Sequence, residues 1–554
     1  MTLLDDTGLD TLTRREFDRR PVGLAPATAQ PSGLWPRRRW LAVMALLIGW
    51  SFWKATAGRG RVVNAGGWTQ VDRFASAAIR PELSGDFLKI VAKASATSAG
   101  YALVGTAMAM VIGVVFGVLS SRVWWARDPL DSRGGDHQVR RAHSVIRMVG
   151  VVPRGLHEAI WALIFVYFLG RNPLVAVFAI GIPFGAITAK VVAETIDDRS
   201  RASVEALRAA GAGRMSAMLY GVAPEVMGDV ISYGFYRLEC SIRSSVVLGA
   251  IGAGGLGFQL SLSFQSLRYR EIWTLIYALV VLSAIADWWG ASLRRRPTIR
   301  RRRVSIVIAA MLTVASVVAL RLRPLTLIAP RARRLGADLA TKAWPPRLPR
   351  GGWSKLFTAA LDTLQLSVIA ITVAVAVAVP LALLAARPER ASTSARLLSL
   401  ATRMVLLVAR AIPPTVWALM ILFVIFPGPL PGGLALGCYT AGVIGRMGAE
   451  IIENSDRAPN RALRAAGAPT IAAFAYGTVP TVAPRFTSLA MYRWEVAARE
   501  TVIVGLVGAG GLGRLLAQQS AAFDEAAMLT TVGALVVVSL AIDLLSARLR
   551  DALR

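Results

Sequence analysis

Histidine and cysteine are scarce in this chain, three and two residues among 554. Two cysteines cannot staple a chain of that length, so a disulfide scaffold is excluded. Cys240 and Cys438 fall inside apolar runs and read as small apolar residues. His137, His143 and His157 form no metal-ligand cluster, and no metal site is expected. Lysine occurs six times and a Gly-Lys dipeptide never. A phosphate-binding Walker loop needs that pair, so the chain is not expected to bind ATP in that way. Energy for any work must then come from a partner or an ion gradient. No nucleophile-base constellation is visible, and no enzyme activity is expected. Acidic residues are few: 33 against 63 Lys+Arg, a net charge of +30.

Such a charge suggests nucleic acid, but the rest of the composition opposes it. Hydrophobic residues make up 55%, charged residues only 17%, and mean hydropathy is +0.53. Long unbroken apolar runs point to a bilayer instead, whose core of about 30 Å takes about 20 residues per helix. Six runs appear in the first half: Trp40–Lys54, Gly100–Ser121, Met148–Leu169, Leu174–Val192, Val222–Gly249 and Ile272–Ala291. Six follow in the second: Val304–Leu320, Leu364–Ala386, Met404–Phe426, Leu434–Ile452, Val479–Gly505 and Leu529–Leu545. The expectation is an all-α integral membrane protein of about twelve spans in the plasma (inner) membrane.

Arginine-rich segments set its orientation. Arg37, Arg38 and Arg39 precede the first run, the loop Arg122–Arg147 carries six arginines, and Arg294–Arg303 carries seven and no acid. An even number of spans separates these segments and the C-terminus, so all can face the cytoplasm together. Thr13–Phe17 vaguely resembles a twin-arginine signal and Ala55–Ala57 a cleavage site; a cytoplasmic tail and a retained helix are expected. The segment 321–350, with seven arginines and one lysine against Asp338, falls on the outside.

A shift of 256 residues aligns Met148–Arg294 with Met404–Arg550 without a gap, with 26 identities in the 56 positions of Glu205–Leu260 against Arg461–Leu516. The chain is therefore two fused copies of one six-span unit. Six is even, so the copies share one orientation, and their pseudo-two-fold axis lies along the membrane normal. The expected division is a tail at 1–39, a first repeat at 40–293, a basic connector at 294–303 and a second repeat at 304–554.

Three repeated motifs carry the chemistry. Glu205-Ala206-Leu207, Gly211 and Pro224, with Arg461-Ala462-Leu463, Gly467 and Pro480, read as a short amphipathic helix, a glycine break and a second helix with proline in its first turn. Tyr236-Arg237-x-Glu239-x3-Arg243 and Tyr492-Arg493-x-Glu495-x3-Arg499 place ionisable groups deep in the fifth span. Such groups line a pathway or pair together. Glu239 with Arg243, and Glu495 with Arg499, are four apart on one face; the arginine charge beyond those pairs suits an anion. Last come Gly252, Gly254, Gly255 and Gly257, repeated as Gly508, Gly510, Gly511 and Gly513. Glycines so dense break a helix, and irregular backbone at that depth must be buried or line a cavity. They read as a gate or re-entrant turn, or as close helix packing.

The first motif resembles the coupling loop of ATP-binding-cassette importer permeases, and the three together resemble the phosphonate-transport permease family, over nearly the whole chain. Arg410-Ala411-Ile412-Pro413 with Trp417-Ala418-Leu419, Glu450 with Arg446, and Asp287 with Asp543 add to the match. Arg461 stands where that family has glutamate, and His157 where the second copy has Pro413. The resemblance implies two importer-type transmembrane domains and alternating access driven by two ATPase subunits, which hold ATP and Mg. It implies an extracytoplasmic binding protein as a further partner and a phosphonate or related phosphorus oxyanion as cargo. The ATPases would contact Glu205, Ala206, Gly211, Arg461, Ala462 and Gly467, while the Tyr-Arg-x-Glu and glycine motifs would form pathway and gate. A secondary anion transporter using Glu239 or Glu495, and an importer of amino acids or sulfonates, are the alternatives. Arg331, Arg333 and Arg334 are candidates for docking an acidic binding-protein surface. No nucleic-acid partner is expected.

Overall fold

The structure is a computed structural model that describes residues 34–57, 62–125, 136–199, 202–295, 298–387 and 392–553. Thr13–Phe17 and the rest of the tail before residue 34, the middle of the basic loop at 126–135, and Arg296 of the connector lie outside the described residues. What is described is mostly helix joined by short turns, and its one β contact is an isolated antiparallel bridge between Val63 and Ile425.

All twelve apolar runs are helical. The first repeat contains α1 (Leu34–Thr56), α2 (Trp68–Ala77), α3 (Gly85–Ser120), α4 (Asp136–Val149), α5 (Glu158–Leu169) and α6 (Pro173–Asp197). It continues with α7 (Ala202–Ala209), α8 (Ala223–Leu248), α9 (Gly255–Gln265) and α10 (Tyr269–Arg295). The second repeats the order: α11 (Ile299–Ala319), α12 (Pro330–Ala343), α13 (Gly352–Ala385), α14 (Thr393–Ala411), α15 (Pro414–Val424) and α16 (Pro429–Glu453). Then follow α17 (Ala458–Ala465), α18 (Val479–Val504), α19 (Gly511–Ala521) and α20 (Glu525–Leu553). Among the described residues, α3, α6, α10, α11, α13 and α20 are each long and apolar enough to cross a bilayer, and four bent pairs qualify as broken spans. The two remaining runs are α1 and the glycine-rich α16.

The third span of each repeat departs from the straight helix expected. Met148–Leu169 turns by 87° before α5, and Met404–Phe426 by 91° before α15. An arm of 12 residues rises only about 18 Å, so neither α5 nor α15 crosses the bilayer alone. Pro413 and Pro414 explain the second bend, because proline disfavours helix in the residue before it and donates no hydrogen bond. The first bend has no proline there. His157 takes the same extended conformation, ψ 147° against 148° at Pro413, and its Nδ1 accepts from the Ala159 amide at 3.1 Å. Histidine thus caps the helix that proline starts in the other copy.

Small residues let α3 and α6 approach closely, as expected between membrane helices. A Cβ on Gly113 would lie 2.3 Å from Thr188, and one on Gly117 2.7 Å from Val192. The contact between α13 and α16 repeats this, with Gly433 against Ile369 and Gly437 against Val373. The first helix of each repeat packs on the other half. Lys54 of α1 pairs with Asp362 of α13 at 3.6 Å, and Gln365 donates to the Ser51 carbonyl at 2.7 Å. In turn α11 lies against α3 and α10, where Trp289 Nε1 donates to Ser305 Oγ at 3.2 Å.

Candidate functional site

The coupling motif folds as its spacing predicts. Helix α7 ends at Gly211, φ 84°, where the Gly211 amide donates to Arg208 O and the Ala212 amide to Leu207 O. That is the glycine-terminated cap in which only a left-handed residue fits cheaply. Gly467, φ 86°, closes α17 in the same way. Gly221 and Gly477 bring the next helix onto the first: a Cβ would lie 3.3 Å from Leu207 in one copy and 2.8 Å from Asn460 in the other. Glu205, Ala206, Gly211, Arg461, Ala462 and Gly467 are all exposed. The sequence reading, which ran the contacts through Met215 and Ile471, missed Tyr220 and Tyr476 just beyond, 76% and 79% exposed. The repeat itself was the available signal, since Tyr220-Gly221 recurs as Tyr476-Gly477. Each copy thus presents a short helix followed by exposed apolar side chains, a surface suited to a protein partner.

At mid-depth, α8 and α18 bring the two Tyr-Arg-x-Glu motifs together. Arg237 and Arg493 are each only 7% exposed. Tyr236 and Tyr492 lie near both arginines, so the motifs of the two halves meet here. The Arg237 guanidinium stacks over the Phe184 ring of α6 at 3.8 Å, a contact the spacing could not reveal.

Glu239 and Arg243 pair along α8 as expected, at 3.3 Å. The second copy differs. Glu495 turns instead to Ser546 and Arg550 of α20, and Arg499 reaches Asp543 at 3.7 Å. Ser546 supplies a hydroxyl where the first copy has Gly290, while Glu239 meets a cation from the other half, Arg410, at 2.9 Å. The expected Glu495–Arg499 pair is therefore absent among the described residues.

Most of these charges join the halves. Asp287 of α10 accepts from Arg446 of α16 at 2.6 Å and faces Arg410 at 3.4 Å. Arg243 donates to the Tyr439 hydroxyl of α16 at 3.1 Å. Arg446 also pairs with Glu450 at 3.4 Å, which the sequence reading paired. Its mate is Lys190 with Glu194 at 3.6 Å.

The glycine motifs form tightly packed turns, partly buried at Gly252 and Gly508 and buried at Gly257 and Gly513. Gly252 and Gly508 have φ of 116° and 102°, and beyond them α9 and α19 each leave at 61°. At 11 residues, neither returning helix can cross the bilayer alone. The turns are pinned to the second span: Ser98 Oγ accepts from the Leu256 amide at 2.9 Å, and Thr363 Oγ1 from the Leu512 amide at 2.8 Å. Gly255 and Gly511 touch those hydroxyls, and Gly257 and Gly513 lie on the Val246 and Val502 carbonyls, too close for any side chain. Gly254 and Gly510 have φ of 93° and 100°. The close glycine packing expected of these motifs is seen at Gly257 and Gly513, within a bend of 61°.

Two parallel copies of a bent-span, loop-and-turn unit define a membrane permease. Residues 136–334 and 378–554 match the family described as binding-protein-dependent transport system inner membrane components. The chain belongs to that family. Among its relatives, a phosphate-import permease protein of Mycolicibacterium smegmatis is 29% identical over 82% of this chain and 84% of its own length. A phosphite transport system permease protein of Stutzerimonas stutzeri is 36% identical over 32% of this chain and 62% of its own. The chain is thus a multi-pass inner-membrane permease of an ATP-binding-cassette importer. It is a transport component and not an enzyme, working with a separate ATPase and a binding protein.

Proposed function

We propose that this permease imports a phosphorus oxyanion (phosphate, phosphite or a phosphonate) between its two repeats, driven by two ATPase subunits that hold the ATP and Mg. One observation carries the cargo reading: Arg237 and Arg493, buried and 256 residues apart, have Nε and Nη2 atoms with no hydrogen-bond partner among the described residues. A buried guanidinium with free donors matches the oxygens of a tetrahedral anion. The names of the phosphate and phosphite permease relatives support the same class.

The exposed helices α7 and α17 are the ATPase contacts, with Glu205, Ala206 and Gly211 in one and Arg461, Ala462 and Gly467 in the other. Arg461 against Glu205 makes the two contacts unlike in charge. Both termini and the connector lie on that cytoplasmic side, by the arginine bias. Tyr236, Arg237, Glu239 and Arg243 with Tyr492, Arg493, Glu495 and Arg499 line the pathway. The turns at Gly252–Gly257 and Gly508–Gly513 set the gate at its outer end. On the outer face, α12 exposes Arg331, Arg333 and Arg334 toward the binding protein.

The test is ATPase stimulation of the reconstituted complex by binding protein loaded with phosphate, phosphite, methylphosphonate, sulfate or an amino acid. Stimulation by the phosphorus compounds alone is expected. Equal stimulation by sulfate or by an amino acid would overturn the cargo reading.

A further inference from the structure

Resting on that reading, we propose that the oxyanion station inside the membrane is asymmetric: Arg237 is its anion contact, and Arg493 is held in reserve by Glu500. The two arginines are equivalent by sequence and equally buried, yet their surroundings differ. Beside Arg237 stand Tyr233, whose ring centroid is 5.9 Å from the guanidinium, and Cys240, Tyr236 and Tyr492, and among the described residues no carboxylate makes an ion pair with it. Tyrosine and cysteine are ordinarily neutral at pH 7, so none of these supplies a counter-charge. Stacking on Phe184 occupies the face of the guanidinium and leaves its edge free. Nε and Nη2, which share that edge, lack a hydrogen bond in both arginines, so the difference between them lies in the carboxylate near Arg493. Two parallel N–H groups on one edge fit two oxygens of one phosphorus centre.

Arg493 faces the same tyrosine pair, but its Nη2 lies 3.8 Å from Glu500 Oε2. The first copy has Ser244 where the second has Glu500. Ser244 donates to Glu158 at 2.6 Å, and Glu158 pairs with His157 at 3.2 Å. The second copy has Pro413 and Pro414 at those two positions. The repeats have therefore exchanged where a carboxylate sits. In the first it is held by histidine and serine and makes no ion pair with Arg237 among the described residues; in the second it pairs with Arg493 directly. A buried cation with a carboxylate partner attracts an anion less than one without.

The experiment measures inorganic phosphate binding to the purified permease–ATPase complex by equilibrium dialysis, with sulfate and chloride as competitors. Arg237→Gln is expected to weaken phosphate binding at least about tenfold, the loss of a charge-assisted bidentate contact, and Arg237→Lys to recover part of it. Arg493→Gln is expected to change it less than about threefold. Glu500→Gln is expected to tighten binding, because it releases Arg493. Equal weakening by Arg237→Gln and Arg493→Gln, or weaker binding in Glu500→Gln, would overturn the asymmetry. The Glu500→Gln result decides the matter even if Arg237→Gln fails to assemble. A wild-type complex that hydrolyses ATP but neither binds nor moves any phosphorus oxyanion would overturn the cargo reading itself.

Discussion

Asp287 and Arg446, 159 residues apart and on different repeats, meet at 2.6 Å, both partly buried. With Arg410 and Glu239 they form a lock between the halves. The equivalent aspartate of the second repeat, Asp543, pairs with Arg499 of its own repeat at 3.7 Å, and its side chain is 37% exposed against 15% for Asp287. Removing one partner of a buried pair strands the other, at about 3–5 kcal/mol. A looser pair that does not cross between the halves contributes less, about 1 kcal/mol. Asp287→Asn is therefore expected to lower the thermal unfolding temperature of the purified protein clearly more than Asp543→Asn. The double variant Asp287→Asn with Arg446→Gln should lose less than the sum of the two singles.

The coupling surface gives a prediction that separates docking from folding. Tyr220 and Tyr476 project from the fold with few intramolecular contacts to lose. Tyr220→Ala and Tyr476→Ala should each leave the thermal stability of the isolated permease within about 0.5 kcal/mol. Each should weaken retention of the ATPase on purification by about 2 kcal/mol, the scale of a buried aromatic anchor. A drop in permease stability with unchanged retention would show that they belong to the core.

The glycine turns predict a graded series. A Cβ on Gly252 meets nothing within 4 Å, so Gly252→Ala suffers only the cost of φ 116°, about 1–3 kcal/mol. On Gly257 a Cβ would lie 1.7 Å from the Val246 carbonyl oxygen. Gly257→Ala must push two helices apart, and its expected outcome is loss of folded protein in detergent, read by size-exclusion chromatography. Gly252→Ala should elute as the wild type does.

Much of this architecture was legible in the sequence. The twelve runs, the repeat at 256 and the cap at Gly211 follow from apolar length, self-similarity and the left-handed preference of glycine. The bends in the third spans were not legible, because hydropathy reports helix and says nothing about where its axis points. Pro413-Pro414 was the cue in one copy; His157 hides the same bend in the other. The partner of Glu495 was misread because i,i+4 spacing shows which groups can meet on one helix. It is blind to Ser546 and Arg550, which arrive from another. The stack of Arg237 on Phe184 and the lock at Asp287 depend on contacts between helices and, for Asp287, between repeats, which no local pattern encodes.

The central claim is ATP-driven oxyanion import through this chain. Its most direct test is uptake of radiolabelled phosphate and phosphite into proteoliposomes holding the permease and its ATPase, with binding protein outside and ATP inside. The account predicts uptake that requires both ATP and the binding protein and is indifferent to collapse of proton and sodium gradients. Uptake that persists without ATP and follows either gradient would contradict it.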